Sequence, residues 1–239
     1  MCWLFRWAGL RADRAALTYG PFGCDDARVA IFTPDTEPYL GGPLLHQFDT
    51  IIVAALEQHH AIGPWTRAHR DELSRLQRAA CQIIPSSCSI ALGIRELIRQ
   101  AYLFPAHMLL RPLIERVATI SYLAENPAAL DLWEEGWPYS KRPKLPDLLR
   151  SMTGQLSDAA DDAGLAEAKT VANYYNALVH GDPLSAPENV VMHEGNEATF
   201  SVSKDVDSPE RADNLAVHGA MYMIVLMARA AEIFPDVAE

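Results

Sequence analysis

The chain has 239 residues, 49% of them apolar, and a formal net charge of −11. That length suits one large domain or two small ones, and the apolar content supplies a sizeable core, which excludes global disorder. The acidic balance excludes a protein that coats nucleic acid or an anionic membrane by charge alone.

Residues 1–42 carry scattered Gly, Pro, Asp and Trp without a sustained helical period, and read as an irregular arm with one short strand at 28–33. The start, MCWLFRWAGLRADR, is interrupted by Arg6 and predicts no signal peptide. From Pro43 the pattern turns helical. Leu44, Leu45, Phe48, Ile51, Ile52, Ala55 and Leu56 recur at three and four, predicting an amphipathic helix to about His60 that Gly63-Pro64 breaks. A second helix is expected over 66–84, ended by Pro85-Ser86-Ser87, and a third over 87–103 with Ser86 or Ser87 as its cap. The fourth, 105–125, is the most apolar of the set and stops at Asn126-Pro127. A short helix through Trp133 to Trp137, the loop PYSKRPKLP, a further turn or two over 146–152 and a long helix over 158–178 follow. Beyond His180 the period shortens, and segments 189–193 and 198–203 read as a hairpin. Ser208-Pro209 starts the last helix, expected to reach Phe234. Its run from Gly219 to Ala228 is about half of a bilayer span and reads as a core helix. Met221, Met223 and Met227 make it apolar nearly all round, as suits the centre of a bundle or a subunit interface. The fold class is therefore all-α: a bundle of six to eight helices with one small β-hairpin before the last, in a domain spanning 43–239.

Polar residues are sparse enough on these helices to be informative. His107, Arg111 and Glu115 lie four apart on one stripe of the fourth helix, amid Leu109, Leu110, Leu113, Ile114 and Val117. Charges on so apolar a helix need a partner or a pocket. Pro112 withholds a hydrogen bond from the carbonyl of Met108, so a kink beside Arg111 is expected. Two readings stand: a ligand or catalytic pocket, or an internal Arg111–Glu115 ion pair that fixes packing. His180 falls in the last turn of the long helix, before Gly181-Asp182-Pro183, with Asn173 and Asn176 on the same face. It is either a general acid or base oriented by Asp182 or Glu115, with the asparagines positioning a ligand, or a capping histidine. His59, His60 and His69 lack the carboxylate or cysteine that would complete a metal site, so no metal and no cofactor is expected. Ser86, Ser87 and Ser89 lack a nucleophile elbow. Trp133 and Trp137 are core anchors or an exposed partner surface. Four scattered cysteines (Cys2, Cys24, Cys81 and Cys88) predict reduced thiols and a cytoplasmic protein.

The pattern LLRPLIERVATISYLAENP, then WEEGW, then a helix ending NALVHGDP, resembles a large bacterial all-helical family of uncharacterised function. That family is similar to HEPN helical-bundle domains of the abortive-infection and toxin type. The resemblance covers roughly residues 45–234. It implies a homodimer and a metal-independent ribonuclease acting in stress or phage defence, with His180 and Arg111 as catalytic residues and Glu115 beside them. The chain departs from the HEPN signature: no arginine precedes His180 by four to six residues, whereas Arg211 and His218 do have that spacing, on an apolar helix. Three functions stay open: a non-enzymatic dimer that binds a partner or ligand, a ribonuclease, and a small-molecule binder at His107, Arg111 and Glu115. None involves a membrane.

Overall fold

The computed structural model describes residues 37–153, 162–182, 185, 190–192, 198–200 and 204–237. Seven α-helices are present among them: α1 (Pro43–Ala68), α2 (Arg75–Arg99), α3 (Leu103–Glu125), α4 (Ala129–Glu134), α5 (Leu145–Thr153), α6 (Asp162–His180) and α7 (Pro209–Ile233). A single 3-10 turn, Pro235–Val237, follows α7.

Helices α1, α2, α3 and α7 pack as a four-helix bundle. Phe48 lies against Gly219, and Gln58 Nε2 donates to the carbonyl of Met227, so α1 and α7 run side by side in the same direction. Gly93 faces Leu109 and Ser86 Oγ accepts from Arg116 Nε, so α2 and α3 are antiparallel. Ser121 Oγ and Glu125 on α3 take the buried Arg229 guanidinium of α7 at 3.3 and 3.2 Å. The core is built from Leu45, Phe48, Ile94, Ile98, Leu110, Leu113, Ile114, Ile120, Leu123 and Met223, all nearly inaccessible. The long connection from α3 to α7 holds α4, α5 and α6, and α5 packs Leu148 and Met152 inward while α6 leans on it. By length and hydropathy alone α7 could cross a bilayer, but here it sits against α1, α2 and α3.

Several expected boundaries move. Gly63-Pro64 does not break α1, and the three helices expected over 43–103 are two. Pro64 and Pro85 both lie inside helices. An interior proline costs about 3 kcal/mol, so packing on either side has to offset it. Ile62 is buried and Trp65 meets Phe234 edge-on at 5.8 Å, which carries α1 past Pro64. Ile83, Ile84, Ser87 and Cys88 are buried on both sides of Pro85, and the Ser86 and Ser87 hydroxyls donate to Ile83 O rather than capping a new helix. The true break is at 69–74. His69 caps α1, its Nδ1 2.9 Å from Trp65 O and its ring stacked on Trp65. Ser74 and Gln77 then form a reciprocal capping box that starts α2. Helix α2 stops at Arg99 because Ala101 adopts φ +66°, with Tyr102 N–H closing onto Leu97 O.

The expected arm lies outside the described residues over 1–36, including its strand at 28–33. Its last six residues belong to the helical body. Tyr39 is buried, its hydroxyl donating to Asp205 O and accepting from Ser208 N, and Glu37 pairs with Arg99. The hairpin is not supported as an element of the architecture. Most of 183–203 lies outside the described residues, and what is described is a three-residue antiparallel ladder, Val190–Met192 on Ala198–Phe200. Two strands that short are not independently stable, and they add no layer to an all-helical fold.

Candidate functional site

The polar stripe of α3 meets α6. Helix α3 runs unbroken through Pro112, whose carbonyl accepts from Arg116 Nη1. Arg111 keeps only 15% of its side chain exposed. Its Nη2 and Nε donate to Glu115 Oε1 at 3.0 and 3.3 Å, and its Nη1 donates to Asn176 Oδ1 on α6. Glu115 Oε2 faces Arg142 Nη2 at 3.7 Å from the loop before α5. Of the two readings of the stripe, the internal Arg111–Glu115 pair is present, and Asn176 extends it across the helix interface.

One turn earlier, His107 is buried beneath two tyrosines of α6. Its Nε2 lies 3.2 Å from Tyr174 Oη, and its ring meets Tyr174 and Tyr175 at 5.4 and 5.8 Å. His218 on α7 is close enough to feel His107: burial first and the His107 charge second hold its imidazole down at about 4, against an ordinary 6.5. Such a histidine is neutral at physiological pH. Tyr222, one turn further along α7, is pushed up by burial alone.

His180 has a different setting. Gly181 takes φ +69° and the Asp182 amide closes onto Ala177 O at 3.0 Å, so α6 ends in a Schellman turn as its Gly-Asp-Pro sequence predicts. His180, Asn173 and Asp182 are exposed there. Among the described residues the His180 ring makes no hydrogen bond, and those of Arg111 go to Glu115 and Asn176. The structure therefore brings His107, Arg111, Glu115 and Asn176 to the α3–α6 contact and leaves His180, Asn173 and Asp182 on the outer surface.

The remaining candidates are absorbed by packing. Trp133 and Trp137 meet edge-on at 5.0 Å against the core, Trp137 at φ +54° after Gly136 at +85°. Arg211 pairs with Asp205 at 3.6 Å. Cys81 and Cys88 are free thiols. Among the described residues no group of three His, Cys, Asp or Glu side chains is placed to hold a metal ion. Sequence patterns alone missed Tyr174, Tyr175 and Arg142. Each meets the stripe from another element, and only the aromatic pair Tyr174-Tyr175 beside Asn176 offered a signal. Family models, curated proteins and solved structures give no match to this chain.

Proposed function

We propose that the chain is a helical binding protein, dimeric and non-enzymatic, in which the α3–α6 polar cluster fixes helix docking instead of catalysing a reaction. The observation that carries this reading is the commitment of Arg111 to Glu115 and Asn176 while His180 stands exposed, with no hydrogen bond among the described residues. General acid–base chemistry needs its groups within about 3 Å of each other or of one substrate atom. A guanidinium already holding a carboxylate and an amide has less to offer a phosphate. The dimer is drawn to the outer faces of α1 and α7, where Val53 and Ile224 are about half exposed. Scattered exposed apolar residues are ordinary, but two on adjacent helices at the same level suit a partner helix.

The test is incubation of total cellular RNA with the purified protein and with His180→Ala and Arg111→Ala variants. The expected result is no cleavage attributable to the wild type. A wild-type activity lost in both variants would overturn this reading in favour of the HEPN-like ribonuclease that the sequence resemblance implies.

A further inference from the structure

The first turns of α1 and α7 border a partly open cavity of about 430 Å³ remote in sequence from the α3–α6 cluster and sharing no residue with it. Pro38, Leu45, Ile98, Val206 and Pro209 supply its apolar surface, Tyr39 and Gly42 also line it, and Asp213 is the one carboxylate in the lining. Two nearby carboxylates are engaged: Glu37 by Arg99, and Asp205 by Arg211 and the Ser208 hydroxyl. Asp213 makes no hydrogen bond or ion pair among the described residues. Burial pushes its carboxyl up, and no neighbouring cation pulls it back. A partly desolvated charge without a partner is a cost that a ligand of opposite charge would offset.

Gly42 lies at the rim of the same space. Gly42 has φ −62°, a conformation open to any residue, and it stands at the N-cap of α1, where Ser, Thr, Asp or Asn would serve better. A Cβ there would lie 3.2 Å from Tyr39 O and 4.0 Å from Asp213 Oδ1. The tight contact is with the Tyr39 carbonyl, and the Cβ would stand in ordinary contact with the carboxylate. The chain's net charge of −11 also draws cations toward its surface. One carboxylate is too few oxygens for a metal ion, and it would repel an anion.

We propose that this cavity binds a small primary amine with a short branched apolar body. The ammonium group would sit on the Asp213 carboxylate and the hydrocarbon against Leu45, Ile98 and Val206. This goes beyond the binding role proposed above and is independent of it, because Asp213 takes no part in the Arg111 cluster and RNA cleavage would not report on it.

Titration calorimetry on the full chain with isoamylamine, isoamyl alcohol and isovalerate tests the charge requirement on the unaltered protein. The near-isosteric Asp213→Asn variant tests the residue, with circular dichroism confirming its fold. The expected result is saturable amine binding, with the alcohol and the carboxylate weaker by at least about tenfold and Asp213→Asn weakening the amine by a similar factor. Amine binding should also fall as pH drops through the raised Asp213 titration. Absence of saturable amine binding, equal affinity for amine and alcohol, or indifference to Asp213→Asn would each overturn the proposal. The ligand series on the wild type decides the matter even if the variant does not fold.

Discussion

The four-helix bundle and the α5–α6 flank share one apolar core, to which Leu148, Met152, Ala172 and Tyr175 of the flank belong, and differ in the specific contacts that join them to α3. In the bundle, Phe48, Ile94, Ile98, Leu110, Leu113 and Ile120 interdigitate with almost no exposed surface. Where α6 meets α3, the specific contacts are polar: Arg111 to Asn176 and His107 to Tyr174. Hydrophobic burial is strong but directionless, whereas hydrogen bonds add little net energy and much orientation. On the proposed reading, apolar burial supplies most of the stability and the polar cluster orients α6 against α3. This difference also explains why charged side chains on so apolar a helix need not mark a reaction centre.

The largest expected effect breaks the bundle. Phe48→Ala should cost about 4 kcal/mol in denaturant unfolding, as large-to-small core changes do. Gly219→Ala should cost roughly 2 kcal/mol, because its Cβ would lie 2.5 Å from Phe48 Cζ. Combining the two should cost less than their sum, since the first change vacates the space that the second needs.

Acid comes next. His218 has a folded pKa depressed below its ordinary 6.5, to about 4, so the folded state favours the neutral ring. That preference contributes fully above pH 6.5. It is lost as pH falls from 6.5 toward 4, because the unfolded chain takes up the proton first. The loss amounts to up to ~3 kcal/mol. Stability measured between pH 7 and 4 should show it, and His218→Gln should flatten that part of the profile.

The flank should respond more weakly. Asn176→Ala should cost about 1 kcal/mol and raise hydrogen exchange in α6 while leaving α2 protected. His180→Ala should change stability by less than ~0.5 kcal/mol, as an exposed position with no hydrogen bond would. A His180→Ala effect as large as that of Asn176→Ala would erase the distinction between the buried cluster and the exposed helix end.

Much of the helical class was legible because apolar residues repeat at three and four through Leu45 to Leu56 and Leu109 to Leu123. Pro209 at the first position of α7 and Gly181 at the end of α6 were legible from local chemistry, whereas the Ser208 hydroxyl, expected to cap α7, donates to Asp205 instead. The breaks at Pro64 and Pro85 were misread because tertiary burial of Ile62, Ile83 and Cys88 outweighs a local breaker. The Ala101 turn carried no glycine to announce it. At the candidate site the stripe on α3 was legible, since residues four apart share a helix face. Its partners were not. Which side of α6 faces α3 is decided by packing across a long connection, and that orientation joins Asn176 to Arg111 while leaving Asn173 and His180 outside.

The most direct test of the docking role is a double-mutant cycle on stability between Arg111→Met and Asn176→Ala. A residue held for catalysis at the expense of packing leaves the fold as stable or more stable when it is removed. A docking residue leaves it weaker. The expected result is a loss of about 1 kcal/mol for each single change, with a coupling of about 0.5 kcal/mol or more between them. Unchanged or increased stability in Arg111→Met, with no coupling to Asn176, would contradict a docking role and return Arg111 to the list of catalytic candidates.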